Sequence, residues 1–553
     1  MSNSKKGKSS DFLVQGSILA FAAIISRMIG LVYRIVLANI LGDYGNDYYS
    51  GAYSVYNILL LISSYSLPLA VSKLISARVA KKQYRNAMRI LKAALMFAVT
   101  SGLIVCLICF FGADFITKYV IATPMSYFAL RMLAPTLFIV AVMGVIRGYF
   151  QGLGTMVPTA TSQIIEQIVN AAGSIIGAML LSAYGLKVGA VLGKPEQYSA
   201  AYGASGGTFG TGIGAFFALI FLCFILFSYK NVIKRQVKKD KTKNIESYSS
   251  IYGVLFLTIV PVILSTTIYN ISDFLDQAVF KRIMIILGES VEVRSSSWGI
   301  YSAEVLTLLS VPITIASALS SSVIPSLTAA LANNDRVLVK KKISTAIRFI
   351  MVISIPCAIG MGVLASPILR LTYSDARDLP ANMIRIGAIS IVFYSLSTLM
   401  NGILQGINKM FTPIKNAIIA LIIHVITLVG CMMLFHIGIY AVVISSIVFS
   451  FLMCVFNSHA ISKALRYRQE VLKTIIIPSI SGAIMGGIVF LSYTGIYMIL
   501  EINSIATIVS ILIGVLVYGL LLLVFKEFSE EELLGLPKGR FLLKIAKKLH
   551  FYR

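Results

Sequence analysis

The stretch YYSGAYSVYNILLLISSYSLPLAVS, residues 48–72, runs 25 residues without a charge, and KLISARVAKKQYRNAMRILK, residues 73–92, follows with seven cations and no acid. The first is long enough to cross a hydrocarbon core, which takes about 20 apolar residues for about 30 Å. The second has the Lys/Arg excess of a cytoplasmic margin. Outward from this pair the alternation repeats. Apolar spans are read at 12–41, 48–72, 90–112, 124–147, 157–184, 206–229, 251–276, 300–332, 346–371, 382–405, 412–436, 438–461, 474–500 and 504–526. Of 48 Lys and Arg, 36 fall at the two termini and the even-numbered gaps, and 10 fall at the outer gaps and span ends. The remaining two, Arg27 and Arg34, lie inside span 1. The expected fold is an all-α integral membrane protein of 14 transmembrane helices, with both termini cytoplasmic.

With 58% hydrophobic and 13% charged residues in 553, little is left for a soluble domain. The net charge of +26 raises nucleic acid as a partner. The cations hug span ends on one side, so anionic membrane lipid is the expected partner and nucleic acid is not. All six cysteines fall inside spans, with no metal-ligand spacing, although Cys106 and Cys109 sit one turn apart. They read as small buried hydrophobes. The start, Lys5-Lys6-Gly7-Lys8 and then an apolar run, resembles a signal peptide. The run is too long for one and holds two arginines, so a retained span is expected. At the other end Ser529-Glu530-Glu531-Glu532 reads as a capping box. Phe541, Leu542, Ile545, Leu549 and Tyr552 then align beside Lys544, Lys547 and Lys548, the pattern of a basic amphipathic helix on the inner leaflet.

The two halves echo each other. Gly51-Ala52-Tyr53-Ser54 opens span 2 and Gly299-Ile300-Tyr301-Ser302 opens span 8. Gly148-Tyr149-Phe150-Gln151-Gly152 ends span 4 and Gly402-Ile403-Leu404-Gln405-Gly406 ends span 10. Met156 and Met410 follow at the same distance, with Pro158 and Pro413 nearby. Six spans separate the copies, so both cross in the same direction. This predicts two parallel pseudo-symmetric six-helix lobes plus two extra C-terminal helices, with substrate between the lobes and rocking between two states. The expected division is an N-terminal lobe at 1–229, a basic linker at 230–250, a C-terminal lobe at 251–461, extra spans at 462–527 and the tail at 528–553.

Polar residues stand where lipid forbids them. Gly16, Ala20, Ala23, Arg27, Gly30, Arg34 and Ala38 form one face of span 1, small except for two cations. A cation at mid-membrane costs about 2.5–3.5 kcal/mol on insertion scales, so it faces protein or water. A structural ion pair is one reading of Arg27. The preferred one is phosphate binding, since a guanidinium fork matches phosphate oxygens. Span 5 has a comparable face in Gln163, Glu166, Asn170, Gly173 and Gly177, for which inter-helix hydrogen bonding is the alternative role. Arg147, near the inner entrance, is with Arg27, Arg34, Glu166 and Asn170 a candidate for binding the substrate. Asn270, Asp273 and Asp276 in span 7, and Glu304 in span 8, approach the outer end. Arg34 is expected to pair with one of these carboxylates when the outer side is closed. A sodium or proton site at Asp273 or Asp276, or solvated helix ends, are the other readings. His424 reads as a packed hydrogen bonder. Gly173/Gly177, Gly210/Gly214 and Gly482/Gly486 read as helix contacts. The Gly-rich stretch from Gly203 to Gly214 lacks a Gly-Lys-Ser/Thr ending and reads as a flexible outer loop running into span 6.

These residues resemble the multidrug/oligosaccharidyl-lipid/polysaccharide (MOP) exporter superfamily, and within it the MurJ/YtgP-type lipid II flippases and stage V sporulation polysaccharide transporters. The resemblance rests on Ser26-Arg27-Met28-Ile29-Gly30 with Ile40-Leu41-Gly42, on Ser297-Trp298 and Tyr301 with Ile324-Pro325-Ser326-Leu327, and on His436 and Gly438. It implies a cationic central cavity taking a lipid-linked diphosphate sugar, two extra spans grooved for the polyprenyl tail, and a functional Arg27. Arg34 is one position off the family's second arginine. Span 2 carries Ser63, Ser64 and Tyr65 where the family has a cavity arginine. Tyr301-Ser302-Ala303-Glu304 replaces Tyr-Ala-Asp-Arg. Asp276 matches a position associated with sodium in some relatives.

The expected function is a flippase exporting undecaprenyl-diphosphate-linked peptidoglycan precursor, acting as a monomer without a cofactor. Export of another lipid-linked oligosaccharide (capsule, teichoic or spore-wall unit) is the alternative. A drug/cation antiporter ill suits the arginines. A membrane glycosyltransferase needs acidic or histidine catalysts in a large outer loop, and the longest outer gap has only Glu196. A purely structural scaffold has no need of a mid-membrane charge.

Overall fold

Lipid offers a backbone no hydrogen bonds, so a chain of this hydropathy satisfies its amides internally. The computed structural model describes residues 3–242, 244–332, 335–407, 409–467, 469–528, 530 and 547, and among these every element is helical. In order they are α1 (Asn3–Leu60), α2 (Leu67–Ala80), α3 (Tyr84–Phe115), α4 (Tyr127–Gly152), α5 (Val157–Val191), α6 (Pro195–Ser228), α7 (Lys230–Lys239), α8 (Tyr248–Ile286) and α9 (Val291–Ile300). There follow α10 (Leu306–Ala332), α11 (Arg336–Val363), α12 (Ala365–Thr372), α13 (Asp378–Gly406), α14 (Phe411–Phe435), α15 (Tyr440–Leu465), α16 (Ile477–Leu500) and α17 (Asn503–Val524). The tail expected at 528–553 lies almost wholly outside the described residues.

Among the described residues, 12 helices are long and apolar enough to cross a membrane. One of them, Phe21–Ala80, has 60 residues. At about 1.5 Å per residue it suffices for two crossings. The stretch expected as span 7 lies in α8, which is 39 residues long. Fourteen crossings are compatible with this set. The gap read between spans 1 and 2 is not a loop. Helix α1 continues through it and bends at Gly42, whose φ of 62° and ψ of −176° fall where glycine alone is at ease.

The Gly203–Gly214 stretch corrects the sequence reading: it is helix, inside α6. Glycine weakens a helix by about 1 kcal/mol per residue, but here it permits backbone contact. A Cβ on Gly206 would stand 2.1 Å from the Gly177 carbonyl oxygen, and one on Gly210 would stand 2.1 Å from the Ser174 amide. A Cβ on Gly214 would meet the Glu166 carbonyl oxygen at 2.6 Å. The small-residue pairs of span 5 and span 6 thus meet each other. Gly482 and Gly486 of α16 press on Ile359 of α11.

The chain forms two compact units, Met1–Ala303 and Glu304–Arg553. Helices α8 and α9 therefore pack with the first six spans, a different partition from the lobes inferred from the repeat. The boundary falls within a π-helical turn, Tyr301–Val305. The repeat itself is visible locally. Helix α4 ends at Gly152 and α13 at Gly406, and Met156 and Met410 are the residues preceding α5 and α14. Inside the first unit one apolar core gathers Leu67, Val71, Ile90, Met143 and Phe150, and a second gathers Leu37, Tyr49, Leu130 and Leu133. In the second unit Met485, Val489, Tyr518 and Leu522 pack together with Val352. Phe111, Phe224 and Leu491 are largely exposed, as lipid-facing side chains are.

Candidate functional site in the first unit

The polar face of α5 meets α1, α4 and α6. Asn170 is buried and hydrogen-bonded on both ends of its amide. Its Nδ2 donates to the Tyr33 hydroxyl at 3.2 Å, and its Oδ1 accepts from Ser174 Oγ at 2.9 Å and Thr211 Oγ1 at 3.2 Å. Thr211 is in turn hydrogen-bonded to the Tyr53 hydroxyl. One turn from Asn170, Glu166 Oε2 accepts from Arg147 Nη2 at 2.8 Å, while Arg147 Nε donates to Ser162 Oγ at 2.9 Å. Arg147, expected near the inner entrance, is thus paired with Glu166.

The Arg34 guanidinium lies over the Tyr49 ring, 5.9 Å from the centroid, and the Tyr49 and Tyr53 rings meet tilted, with centroids 4.6 Å apart. Among the described residues no ion pair to Arg34 occurs. A cation over a tyrosine face keeps its charge while its carbon stem is sheltered. Arg27 is exposed, and no ion pair to it occurs among the described residues. One turn on, a Cβ at Gly30 would lie 3.8 Å from Gln167 Oε1, so this face of α1 runs beside α5. Arg27, Arg34, Glu166 and Asn170, with Arg147, therefore share one seam. The seam thus carries two guanidinium groups on α1 and, on α5, a hydrogen-bonded amide and a carboxylate paired with Arg147.

The outer-end set divides. Asn270 and Asp273 of α8 are exposed and Asp276 is buried. Glu304, in the second unit, is buried and lies 3.6 Å from Arg377, which also pairs with Asp375 at 2.6 Å. Among the described residues no three His, Cys, Asp or Glu cluster as a metal site would need. The six cysteines are free thiols.

Sequence reasoning missed a buried charge pair. Asp47, just past the α1 bend, and Lys281 of α8 are almost wholly inaccessible and lie 2.8 Å apart. Lys281 Nζ also donates to the Arg294 carbonyl at 3.0 Å, and Ser295 Oγ donates to Asp47. Around them Ser296 donates to Asp43 at 2.7 Å, Trp298 Nε1 to Ser50 at 3.1 Å and Ser54 to Gln277 at 2.9 Å. Gly299 lets α9 lie against the Asp43 carbonyl, which a Cβ would approach to 1.9 Å. Read along the chain, Asp47 is a gap residue and Lys281 an outer-side cation. The signal overlooked is that two opposite charges flank spans on the same side.

A family described as polysaccharide biosynthesis protein matches residues 13–331, more than half of the chain, and the MatE family matches residues 302–429. The lipid II flippase MurJ of Bacillus subtilis is 27% identical over 431 residues, covering 75% of each chain. Stage V sporulation protein B of the same organism is 24% identical over 541 residues, covering 96% of this chain and 99% of its own. Among solved structures, a lipid II flippase MurJ in an inward closed conformation aligns with a TM-score of 0.67 at 16% identity, over 92% of this chain and 98% of that one. An inward-facing multidrug resistance MATE family transporter of the MOP superfamily aligns at 0.60, over 80% and 95%. Fold, span pattern and relatives agree: the chain belongs to the polysaccharide biosynthesis protein family and is a multi-pass MOP-superfamily transporter of the MurJ and stage V sporulation type, not an enzyme.

Proposed function

We propose that this transporter is a flippase carrying undecaprenyl-diphosphate-linked peptidoglycan precursor, lipid II, from the inner to the outer leaflet by alternating access. The observation that carries the reading is Arg27: a guanidinium in mid-span, exposed, on a face of small residues beside the polar seam of α5. A diphosphate offers the oxygens that such a fork binds. Arg34 is the second contact, its orientation held by Tyr49. Asn170 and the Arg147–Glu166 pair form the wall rather than primary phosphate ligands. Flipping breaks no bond in the substrate. Outward movement of an anion gains about 2.3 kcal/mol per charge per 100 mV from the membrane potential. Sodium or proton coupling at Asp273 or Asp276 is the second possible drive. The protein acts in the bacterial plasma membrane, as a monomer, with both termini in the cytoplasm.

The full-length similarity to a sporulation protein supports a second reading, in which the cargo is another lipid-linked oligosaccharide such as a spore-wall or teichoic unit. A drug/cation antiporter is disfavoured by Arg27 and Arg34. Depletion of the protein, followed by measuring which undecaprenyl-linked intermediate accumulates on the inner leaflet, separates these readings. Lipid II accumulation is expected. Another intermediate selects the second reading, and none removes the flippase altogether.

A further inference from the structure

Helix α7, KNVIKRQVKK, joins the end of α6 to the segment before α8. Its Ile233 is buried and Val237 packs on the core formed with Ala87, Ile90 and Leu74. That contact fixes which side of the helix faces outward. Lys230, Lys234, Arg235, Lys238 and Lys239 are all exposed, and the helix contains no acid.

The nearby acids do not offset these cations, because both are engaged inward. Asp240 accepts the Arg85 backbone N–H at 2.6 Å, satisfying a free amide in the first turn of α3. Glu246 holds Arg78 through two hydrogen bonds, at 2.8 and 2.9 Å. Asn86 donates to the Asn244 carbonyl at 3.1 Å and accepts the Glu246 amide at 3.1 Å. Arg89 lies 4.4 Å over the Tyr248 ring. The connector is thus held in place with its acids inward and its cations outward. Beside this face, Phe224, Phe227, Tyr229 and Val232 are exposed, the mixture of aromatic and apolar side chains found at the edge of a bilayer.

We propose that the outer face of α7 is a docking surface for the phosphate headgroups of anionic phospholipid, held against the membrane plane by Asp240, Asn86 and Glu246. The inference goes beyond transport and does not need it, because its readout is lipid binding. Each cation near an anionic surface adds attraction, and five act together. The full chain in nanodiscs of mixed phosphatidylcholine and phosphatidylglycerol is released for native mass spectrometry. Replacing the five cations of α7 with Gln is expected to lower phosphatidylglycerol affinity at least about tenfold. A control replacing Lys340, Lys341, Lys342, Lys409 and Lys415 with Gln keeps most of it. An unchanged affinity in the α7 variant, or an equal loss in the control, overturns the proposal. A second measurement needs no variant. Amide exchange over residues 230–239 is slower in phosphatidylglycerol than in phosphatidylcholine alone. Equal rates, or equal slowing by inorganic phosphate in phosphatidylcholine, also overturn it, the latter by marking a general anion site.

Discussion

The two units differ in what they place among their helices. The first carries full charges on its span faces: Arg147 with Glu166, Asp47 with Lys281, Arg34 on Tyr49, and Arg27 exposed. The second relies more on uncharged groups there, although Glu304 and Glu527 are buried in it. Asn416 donates to Asn457 at 2.8 Å, and Asn457 donates to Asn401 at 2.7 Å. His424 meets the Ser445 carbonyl at 2.8 Å through Nδ1, the packed hydrogen bonder expected of it. Its charged contacts include Arg348, midway along α11, with the buried Glu527 just beyond α17, and Arg377, at the start of α13, with Asp375. A neutral amide pair needs only its partner. A buried ion needs a counter-ion and further hydrogen bonds, so it is kept where charge has a use or a register to fix. On that contrast, the proposed anion site belongs to the first unit.

The strongest attempt to break that contrast is Arg27→Ala. It should reduce complementation of a depleted strain by at least about tenfold, with the protein still inserted, whereas His424→Asn should leave transport near normal. Equal effects would abolish the assignment. Next in size is Lys281→Met, which leaves Asp47 buried without its cation. It should cost about 3–5 kcal/mol in detergent unfolding, and the double variant Asp47→Leu with Lys281→Met should recover most of it. Gly42→Ala is a smaller test. No neighbour lies within 4 Å of a Cβ there, so any loss reports backbone strain, expected at about 1–3 kcal/mol. Asn416→Ala in the second unit should cost least, about 0.6 kcal/mol, the mean for hydrogen bonds between membrane helices.

The connector adds a pH test. Burial pushes the Asp240 carboxyl up, but the Arg85 amide and the Thr242 hydroxyl and amide outweigh it and hold the carboxyl below its ordinary 3.8. A lowered value means stability present above 3.8 and lost as pH falls through the folded-state value. Amides at the start of α3 should therefore stay protected at neutral pH and lose protection only below about pH 4. Asp240→Asn should make that protection weak and flat with pH.

Much of the fold was legible because lipid imposes one rule on every span, and the Gln151-Gly152 and Gln405-Gly406 strings do end helices in the same register. Gly203–Gly214 was misread because composition reports a residue's own preference. The contact with Gly173 and Gly177 belongs to a neighbouring helix. The site was legible as a set of faces: Glu166 and Asn170 share one because helical spacing puts them there. Their partners were not. Nothing in spacing separates an arginine over a tyrosine from one over a carboxylate, and Asp47 finds Lys281 only through tertiary packing.

The α5–α6 contact has a mechanical consequence. Where glycine backbone lies on backbone there are no rotamers to exchange, and sliding by one residue would set side chains against carbonyls. The two helices must travel as a single plank. If the first unit rocks as proposed, it bends elsewhere, and Glu166 and Asn170 keep their distance from α6.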